Sequence, residues 1–166
     1  MIGNDVVDLV AARSQSNWQR KGFLQKLFSA EEQRLIAAAS EASETMVWIL
    51  WSMKEAAYKI YNRETGVRGY IPHKLLCSDV AITNLGFIGK VNCEDRTYYT
   101  VSTIQDNVIH TIAVKVQNDL ERISEIKNKT IFKDNKGIPY IYDSDGNPWP
   151  ASVSHHGNSY NAVSLV

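Results

Sequence analysis

The chain has 166 residues, of which 44% are apolar and 22% are charged, and its formal net charge is zero. These values are typical of one globular domain with a sizeable core, and the neutral balance argues against a general attraction to nucleic acid or to an anionic membrane. No apolar run is long enough to span a bilayer, no signal-peptide pattern is present, and Cys77 and Cys93 lack the spacing of a zinc site. The cytoplasm is therefore the expected compartment.

The N-terminal residues 1–10 predict a short buried strand that contains two acids, Asp5 and Asp8. Charged side chains are almost never buried without a partner, so two acids here indicate either an exposed strand end or a functional site. Because side chains alternate along a strand, Asp5 and Asp8 are expected on opposite faces. We interpret Asp8 as structural and Asp5 as the candidate site residue.

The predicted helices follow this strand. A polar loop over residues 14–21 and an apolar turn over residues 23–28 come first. Ser29, with Glu32 three residues later, forms a capping box that predicts a helix ending near residue 40. After a short break, the longest helical pattern spans residues 43–62, with apolar side chains three or four apart on one face.

The long predicted helix carries three charged residues close together. Glu55 and Lys59 stand four apart and so lie on the same side, whereas Lys54 is rotated from Glu55 by about a hundred degrees. Such a group can be a solvated salt bridge, or it can hold a metal ion beside a bound polyphosphate. The helix alone leaves both interpretations open.

The second half of the chain is rich in Val, Ile, Thr and Tyr and predicts an antiparallel β meander. We expect a charged helix or loop over residues 118–129, and turns on both sides of a short strand at residues 140–142. The overall prediction is an α+β fold in one domain, residues 1–166, with an antiparallel sheet packed against the long helix and a β-rich insert at about residues 75–117. The other predicted strands span residues 80–85, 87–93, 97–104, 108–116 and 161–166, and Asp106-Asn107 is expected to form the hairpin turn between the strands at 97–104 and 108–116.

The polar residues suggest phosphate and metal chemistry. Asp5 and Glu55 offer hard oxygen ligands, and two carboxylates with water and phosphate oxygens are a usual magnesium site. The lysines at 54 and 59 and a histidine at 155 or 156 would suit a phosphorylated substrate, although the histidines equally fit an ordinary surface position. The chain has no Gly-rich phosphate loop, which disfavours a nucleoside-triphosphate hydrolase, and no cluster of nitrogen or sulfur ligands for zinc.

Several motifs, in one order along the chain, resemble those of the 4′-phosphopantetheinyl transferase superfamily. IGNDVVD at residues 2–8 resembles the family's G-x-D strand, and WSMKEAAYK at residues 51–59 resembles its W-x-x-K-E-A-x-x-K helix. SVSH at residues 152–155 resembles its S-h-S-H motif, in which h is apolar. Weaker similarities lie at residues 23–32, to F-x-x-x-x-F-[ST]-x-x-E, and at residues 136–139, to a G-K-P turn. The motif order and the length resemble the small holo-acyl-carrier-protein synthase type.

The resemblance implies an enzyme that transfers the 4′-phosphopantetheine arm of coenzyme A to a serine of an acyl or peptidyl carrier protein, as in fatty acid biosynthesis, and releases adenosine 3′,5′-bisphosphate. It implies that Asp5 and Glu55 bind Mg²⁺ and that Lys59 assists proton transfer at the pyrophosphate. Glu55 acting as a general base through a metal-bound water is an alternative. The implied contacts of the coenzyme A phosphates are Lys54, Lys59, Ser154 and His155.

Two positions depart from the family pattern. Val7 stands where larger members carry a second acid, and we expect a water in its place. Ile138 stands where the G-K-P lysine is expected, so one phosphate contact is either lost or supplied by Lys136. The change at Ile138 keeps open a non-catalytic relative that binds coenzyme A or a carrier protein. An α+β interaction module with chance motif matches is a third interpretation.

The resemblance also bears on assembly and partners. In the small type the active site lies between subunits, so we expect a homo-oligomer, with a trimer in which His155 reaches a neighbour's site as the leading option. A monomer or dimer stays open because the β-rich insert could block that packing. Carrier proteins are acidic, and we expect them to dock on a local basic cluster. The cluster consists of Arg13, Arg20, Lys21 and Lys26.

Overall fold

A computed structural model describes residues 1–84 and 86–166 of the chain. The helices are α1 (Leu9–Gln15), α2 (Phe23–Leu27), α3 (Ala30–Ala38) and α4 (Ser43–Thr65), with 3-10 turns at Ser40–Ala42 and Gln117–Arg122. The strands are β1 (Ile2–Asp8), β2 (Leu76–Thr83), β3 (Gly86–Cys93), β4 (Arg96–Gln105), β5 (Val108–Val114), β6 (Ile123–Glu125), β7 (Phe132–Lys133), β8 (Pro139–Tyr142), β9 (Pro148–His156) and β10 (Ser159–Leu165).

The strands form two antiparallel five-stranded sheets. The first has the order β1-β5-β4-β3-β2 and the second the order β6-β10-β9-β8-β7. The long helix α4 packs on the first sheet, so the expected α+β fold, with an antiparallel sheet against a long helix, is confirmed. The segment expected as a β-rich insert supplies β2 to β5 of this sheet, and β5 pairs with β1 from Ile2↔Val114 to Asp8↔Val108.

Helix α4 forms the centre of the main core. Its apolar residues recur three or four apart, and Val47, Leu50, Met53 and Ile60 are almost completely shielded from solvent. Full burial of an aliphatic side chain contributes about 1.5–3 kcal/mol, so this face holds the helix on the sheet. The helix ends at Gly66, whose positive φ of 72° gives the left-handed C-cap for which glycine is suited.

Gly3 allows β1 to approach α4 closely. A Cβ atom at this position would lie 2.1 Å from the backbone oxygen of Ala56, which is an impossible contact. Residues two apart on a strand share a face, so the side that Gly3 presses against α4 is also the side of Asp5. The glycine of the G-x-D motif therefore brings an acid of β1 next to the helix.

The structure corrects the predicted end of the first strand. Strand β1 ends at Asp8 rather than at residue 10, because the Asp8 carboxylate accepts hydrogen bonds from the backbone N–H groups of Val10 and Ala11 at 3.0 and 3.1 Å. It is the N-cap of α1. This is a structural role, as predicted for Asp8.

Other local predictions were confirmed or shifted. The capping box of Ser29 and Glu32 is present, and the turn after β4 has positive φ angles at Asp106 and Asn107, as a two-residue hairpin requires. Residues 23–28 contain the short helix α2 instead of only a turn. The strand predicted at 80–85 begins earlier, at the start of β2, and Leu85 lies outside the described residues.

The C-terminal part differs most from expectation. The residues after position 122 form a sheet of their own instead of short separate strands, and the S-h-S-H motif lies within β9. The reason is long-range pairing, since β10 bonds to β9 on one side and to β6 on the other. Within the described part of the chain, no helix has the length and apolar character needed to cross a membrane.

Candidate active site

A cavity of about 250 Å³ lies between β1, α4 and the end of β9. Asp5 of β1, Glu55 of α4 and His155 of β9 all line it, although they are far apart in the sequence. Trp48 and Trp51 form an apolar part of its wall. We call this the acidic cavity. Three of the predicted site residues therefore meet in one place.

The two carboxyl groups of the acidic cavity are held in an unfavourable setting for negative charge. Burial raises the pKa of Asp5, and the charge of Lys59 and the hydroxyls of Ser52 and Ser154 offset this only in part. Burial, and then the nearby charge of Asp5, raises the pKa of Glu55 from 4.5 to about 7. Two acids that repel one another and share one lysine leave an excess of negative charge in the cavity.

This donor set fits a hard divalent cation. Carboxylate oxygens are the ligands that Mg²⁺ prefers, and a cation between Asp5 and Glu55 would offset the burial that raises both pKa values and the repulsion that further raises that of Glu55. Among the described residues, no group of three or more His, Cys, Asp or Glu side chains is arranged to hold a metal. The protein therefore offers a carboxylate pair, and a cation there would take its remaining ligands from water and substrate.

Lys59 lies at the boundary between β1 and β9. Its Nζ atom donates to the backbone oxygen of Asn4 and, at 3.2 Å, to that of Val153. Burial lowers its pKa, while the charges of Asp5 and Glu55 raise it. An ammonium group has three N–H donors, so these two bonds leave one for a ligand.

Lys59 also lines a second, larger cavity of about 550 Å³. We call it the basic groove, because Arg63, Lys133 and Lys136 line it as well. His155 lines both this groove and the acidic cavity, so the two spaces adjoin at that side chain. A ligand with several phosphates could lie in the groove and extend one phosphate toward the carboxylates.

The structure corrects the interpretation of Lys54. Its side chain is completely buried, and its Nζ atom donates to Glu32 Oε2 at 2.7 Å and to the backbone oxygens of Leu27 and Pro72 at 2.9 and 2.8 Å. All three N–H donors are used, and neither cavity includes this residue. Lys54 is a structural lysine that joins α4 to the start of α3, and it is not placed to contact a phosphate.

Ser154 is also placed differently from the implied phosphate contact. Its side chain is buried, and its Oγ atom lies 3.2 Å from Asp5 Oδ1 and 3.2 Å from the backbone N of Val6. The hydroxyl therefore accepts from Val6 and donates to Asp5. Its only hydrogen points at a carboxylate of the acidic cavity, away from the basic groove.

Three basic residues of the groove were not predicted or were given a minor role. Arg63 was missed, although it stands four residues after Lys59 and so lies on the same side of α4. Lys133 carried no sequence signal, because its position depends on the pairing of β7 with β8. Lys136 lines the groove beside Ile138, the position of the missing G-K-P lysine.

A comparison with protein families matches residues 1–112, about two thirds of the chain, to the 4′-phosphopantetheinyl transferase superfamily. No curated protein and no solved structure matches the chain. The matched range contains the G-x-D strand, helix α4 and most of the first sheet, while the basic groove draws further residues from beyond it. The two carboxylates of the acidic cavity both lie inside the match. The chain thus belongs to the 4′-phosphopantetheinyl transferase superfamily.

Proposed function

We propose that this protein transfers the 4′-phosphopantetheine arm of coenzyme A to a serine hydroxyl of an acyl or peptidyl carrier protein and releases adenosine 3′,5′-bisphosphate. Membership of the superfamily supports phosphopantetheinyl transfer from coenzyme A. The observation that carries the specific proposal is the junction at His155, where a cavity with two carboxylates meets a groove with four cationic side chains. Such a pair of spaces suits a substrate with several phosphates whose pyrophosphate bridge is cleaved, with one phosphate leaving on the nucleotide and the other transferred with the arm.

Asp5 and Glu55 are the proposed ligands of a divalent cation, which we take to be Mg²⁺. When bound, the cation would supply positive charge to the pyrophosphate, whose negative charge grows as the bond to the leaving group breaks. Without the cation, these two carboxylates would repel a phosphate group and bind it only weakly. The substrate phosphate would therefore bind in the acidic cavity through the cation.

Lys59 is the proposed contact of the pyrophosphate. Its free N–H group can stabilise charge on the departing oxygen, and its lowered pKa makes proton donation to that oxygen easier than for an ordinary lysine. His155, exposed at the junction, and the cations of the basic groove would bind the other phosphates of coenzyme A. Arg63 and Lys136 take the place of the contacts first assigned to Lys54 and to the absent G-K-P lysine.

Glu55 has a second candidate role as a general base for the carrier serine. A pKa of about 7 in the absence of a cation lies in the range that suits this task. The two roles differ in their response to Glu55→Asp. A ligand role predicts weaker cation binding for the shorter side chain, whereas a base role predicts unchanged cation binding and a slower transfer step.

The alternative function is a relative that binds coenzyme A or a carrier protein without turnover. The replacement at Ile138 supports this alternative, because it removes one expected phosphate contact. The nearby cations of the basic groove offset that loss, since they retain positive charge on the same wall, and they suit coenzyme A binding in either case. Transfer activity decides between the two.

The test is a transfer assay with several apo carrier proteins, coenzyme A and Mg²⁺, in which the mass of the carrier is measured. We expect the carrier to gain one phosphopantetheine arm. Glu55→Gln should reduce the rate by about 1,000-fold or more, which is about 4 kcal/mol of barrier. Glu31→Gln on the exposed face of α3 is the control and should be unchanged. Failure to modify any carrier, with coenzyme A binding intact, would instead support the binding relative.

We propose a single chain as the catalytic unit, acting as one domain over residues 1–166. The acidic cavity takes Asp5 and Glu55 from the first half of the chain and His155 from the second half of the same chain. That all three come from one chain supports a monomeric catalytic unit over the expected trimer. Light scattering during turnover should show an active monomer, and activity that appears only with oligomer formation would contradict this.

We propose that the carrier protein docks beside the loop that follows α1. Of the expected basic cluster, Arg13 pairs with Glu44 at 2.9 Å and Arg20 lies over the ring of Phe23. Lys21 and Lys26 are exposed and have no ion pair among the described residues. Charge reversal at Lys21 and Lys26 together should raise the carrier KM several-fold and leave the coenzyme A KM unchanged. An unchanged carrier KM would place docking elsewhere.

A further inference from the structure

The contact between β1 and β9 is unusual because the two strands lie side by side without forming a ladder. β1 is the edge strand of the first sheet, so its outward backbone groups have no strand partner. Alternate side chains of β9 satisfy them instead. Ser152 Oγ, Ser154 Oγ and His156 Nδ1 accept from the backbone N–H groups of Asn4, Val6 and Asp8 at 2.9, 3.2 and 3.0 Å.

We call this row of three bonds the seam. Side chains of residues two apart on a strand share a face, which is why the serines at 152 and 154 and the histidine at 156 can reach three successive outward amides. The seam joins the two sheets beside the acidic cavity, which two of its residues, Val6 and His156, also line. It also sets the position of β1 along β9, and thus the position of Asp5.

Only one of the three seam side chains also contacts a site carboxylate. Ser154 Oγ donates to Asp5 Oδ1, whereas Ser152 Oγ has the amide of Asn4 as its partner. A hydroxyl has a single hydrogen, so the bond to Asp5 leaves Ser154 with no donor for a phosphate. Its side chain is also nearly inaccessible, at 7% relative exposure.

We propose that Ser154 is a positioning residue that holds Asp5 in the orientation required for a divalent cation, and that it is not a contact of coenzyme A. This inference rests on the proposed function, because it takes Asp5 as a cation ligand. Partners that orient a metal ligand commonly change metal affinity by about 10–100-fold when removed. The serine bonds Asp5 Oδ1, and Asp5 lines the acidic cavity, so the bond restrains the carboxylate at the place where the cation would bind.

The experiment compares Ser154→Ala with Ser152→Ala, which removes a seam bond of the same kind without touching Asp5. Binding of Mn²⁺ is measured directly by electron paramagnetic resonance, and binding of coenzyme A is measured by calorimetry in EDTA. We expect Ser154→Ala to weaken Mn²⁺ binding about 10-fold with unchanged coenzyme A affinity. Ser152→Ala should lower thermal stability to a similar extent and leave Mn²⁺ binding unchanged. Ser154→Thr, which keeps the hydroxyl, should restore binding.

The possible outcomes separate this inference from the proposed function. Wild-type protein that binds Mn²⁺, together with a Ser154→Ala variant that binds it equally well, overturns the positioning role alone. Loss of coenzyme A affinity in EDTA for Ser154→Ala also overturns it, because a phosphate contact would then be shown. Equal loss of Mn²⁺ affinity in both alanine variants assigns the effect to the seam as a whole and rejects a specific role for Ser154. Wild-type protein that binds no Mn²⁺ overturns the cation site and the positioning role together.

Discussion

Helix α4 has a lysine on each of two flanks, Lys54 next to Glu32 of α3 and Lys59 next to Glu55 of α4 itself, and the two flanks serve different purposes. On one flank, Lys54 and Glu32 form a fully buried pair in which the lysine has three acceptors. On the other flank, Glu55 and Asp5 face an open cavity with Lys59 as their nearby cation. The first flank is balanced and closed, and the second has excess negative charge and space for a ligand.

The comparison shows what separates a structural charge from a functional one on the same helix. Glu32 also accepts from the backbone N–H groups of Ser29 and Cys77, at 2.7 and 2.8 Å, so every charge on that flank is satisfied by the protein. Burial of a satisfied pair contributes to one rigid arrangement but leaves nothing to bind. The flank of Glu55 and Asp5, which we call the unbalanced flank, can still bind a cation. Its unsatisfied negative charge lowers the free energy of unfolding of the metal-free protein.

The largest effect should follow from breaking the balanced flank. Lys54→Met leaves Glu32 as an uncompensated buried charge, which costs about 3–5 kcal/mol of unfolding free energy. Urea denaturation measures this loss, and the folded variant should keep its coenzyme A KM within twofold. Lys59→Met is the matched variant on the same helix, and it should lose transfer activity with a smaller stability change. A raised coenzyme A KM without destabilisation in Lys54→Met would return Lys54 to the phosphate site.

The unbalanced flank should make metal-free stability depend on pH. The folded-state pKa of Glu55, about 7, lies above the unfolded value of 4.5. The protonated side chain therefore contributes fully to the free energy of unfolding below pH 4.5, and this contribution is lost as pH rises through 7. The loss amounts to about 3 kcal/mol for this group. Urea denaturation in EDTA between pH 5 and pH 8 should show it as a difference between wild type and Glu55→Gln.

The addition of Mg²⁺ tests whether the pH-dependent loss of stability arises from the two carboxyl groups of the cavity. Excess Mg²⁺ at pH 8 should restore the stability of the wild type, because the cation favours the charged form that the cavity otherwise disfavours. It should have little effect on Glu55→Gln. Parallel stability curves for wild type and Glu55→Gln across this pH range would contradict the assigned electrostatics of the cavity.

The basic groove should show an intermediate effect. Arg63→Gln removes a cation that lines the groove and whose guanidinium also donates to the backbone oxygen of Ile2 at 2.6 Å. We expect the coenzyme A KM to rise about 10-fold, equivalent to about 1.4 kcal/mol, with an unchanged carrier KM. Lys129→Gln, outside the groove, is the control. The same measurement on Lys136→Gln shows whether this residue replaces the G-K-P lysine.

The smallest effect is expected at the second acid of β1. Asp8→Asn preserves an effective N-cap for α1, so stability should change by less than about 0.5 kcal/mol and the transfer rate should be nearly unchanged. Asp5→Asn, three residues earlier, should abolish the cation site. Thermal denaturation and transfer kinetics on both variants measure the contrast. An inactive Asp8→Asn enzyme would show that the two acids are not divided into a structural and a site residue.

The local sequence was sufficient for those features that depend on a few adjacent residues. The start of α4, the capping box at Ser29 and the hairpin turn at Asp106 follow from helical periodicity, from a side chain that bonds three residues away and from φ preferences, whereas α4 runs three residues beyond the predicted end to Thr65. Asp5 and Glu55 could be singled out because acids in otherwise apolar segments need a reason. Their convergence in one cavity follows from the close approach at Gly3.

Other features depended on partners distant in the chain. The role of Lys54 was decided by carbonyl groups of Leu27 and Pro72, and that of Ser154 by its neighbours on β1. A sequence pattern does not show how close such segments lie in space. The motif resemblance therefore led to the expectation that both residues contact a phosphate of coenzyme A. Lys133 of the basic groove could not be predicted for the same reason.

The sequence alone determined the α+β class, the long central helix, the superfamily resemblance and the two acids that face the proposed cation. These depend on periodicity, on composition and on residue types whose chemistry does not change with position. The tertiary structure alone decided that one lysine of α4 is neutralised in the core while the next lies between a carboxylate pair and a basic groove. Whether a charge is structural or functional depends on how completely its surroundings satisfy it, and those surroundings come from segments that only the folded chain brings together.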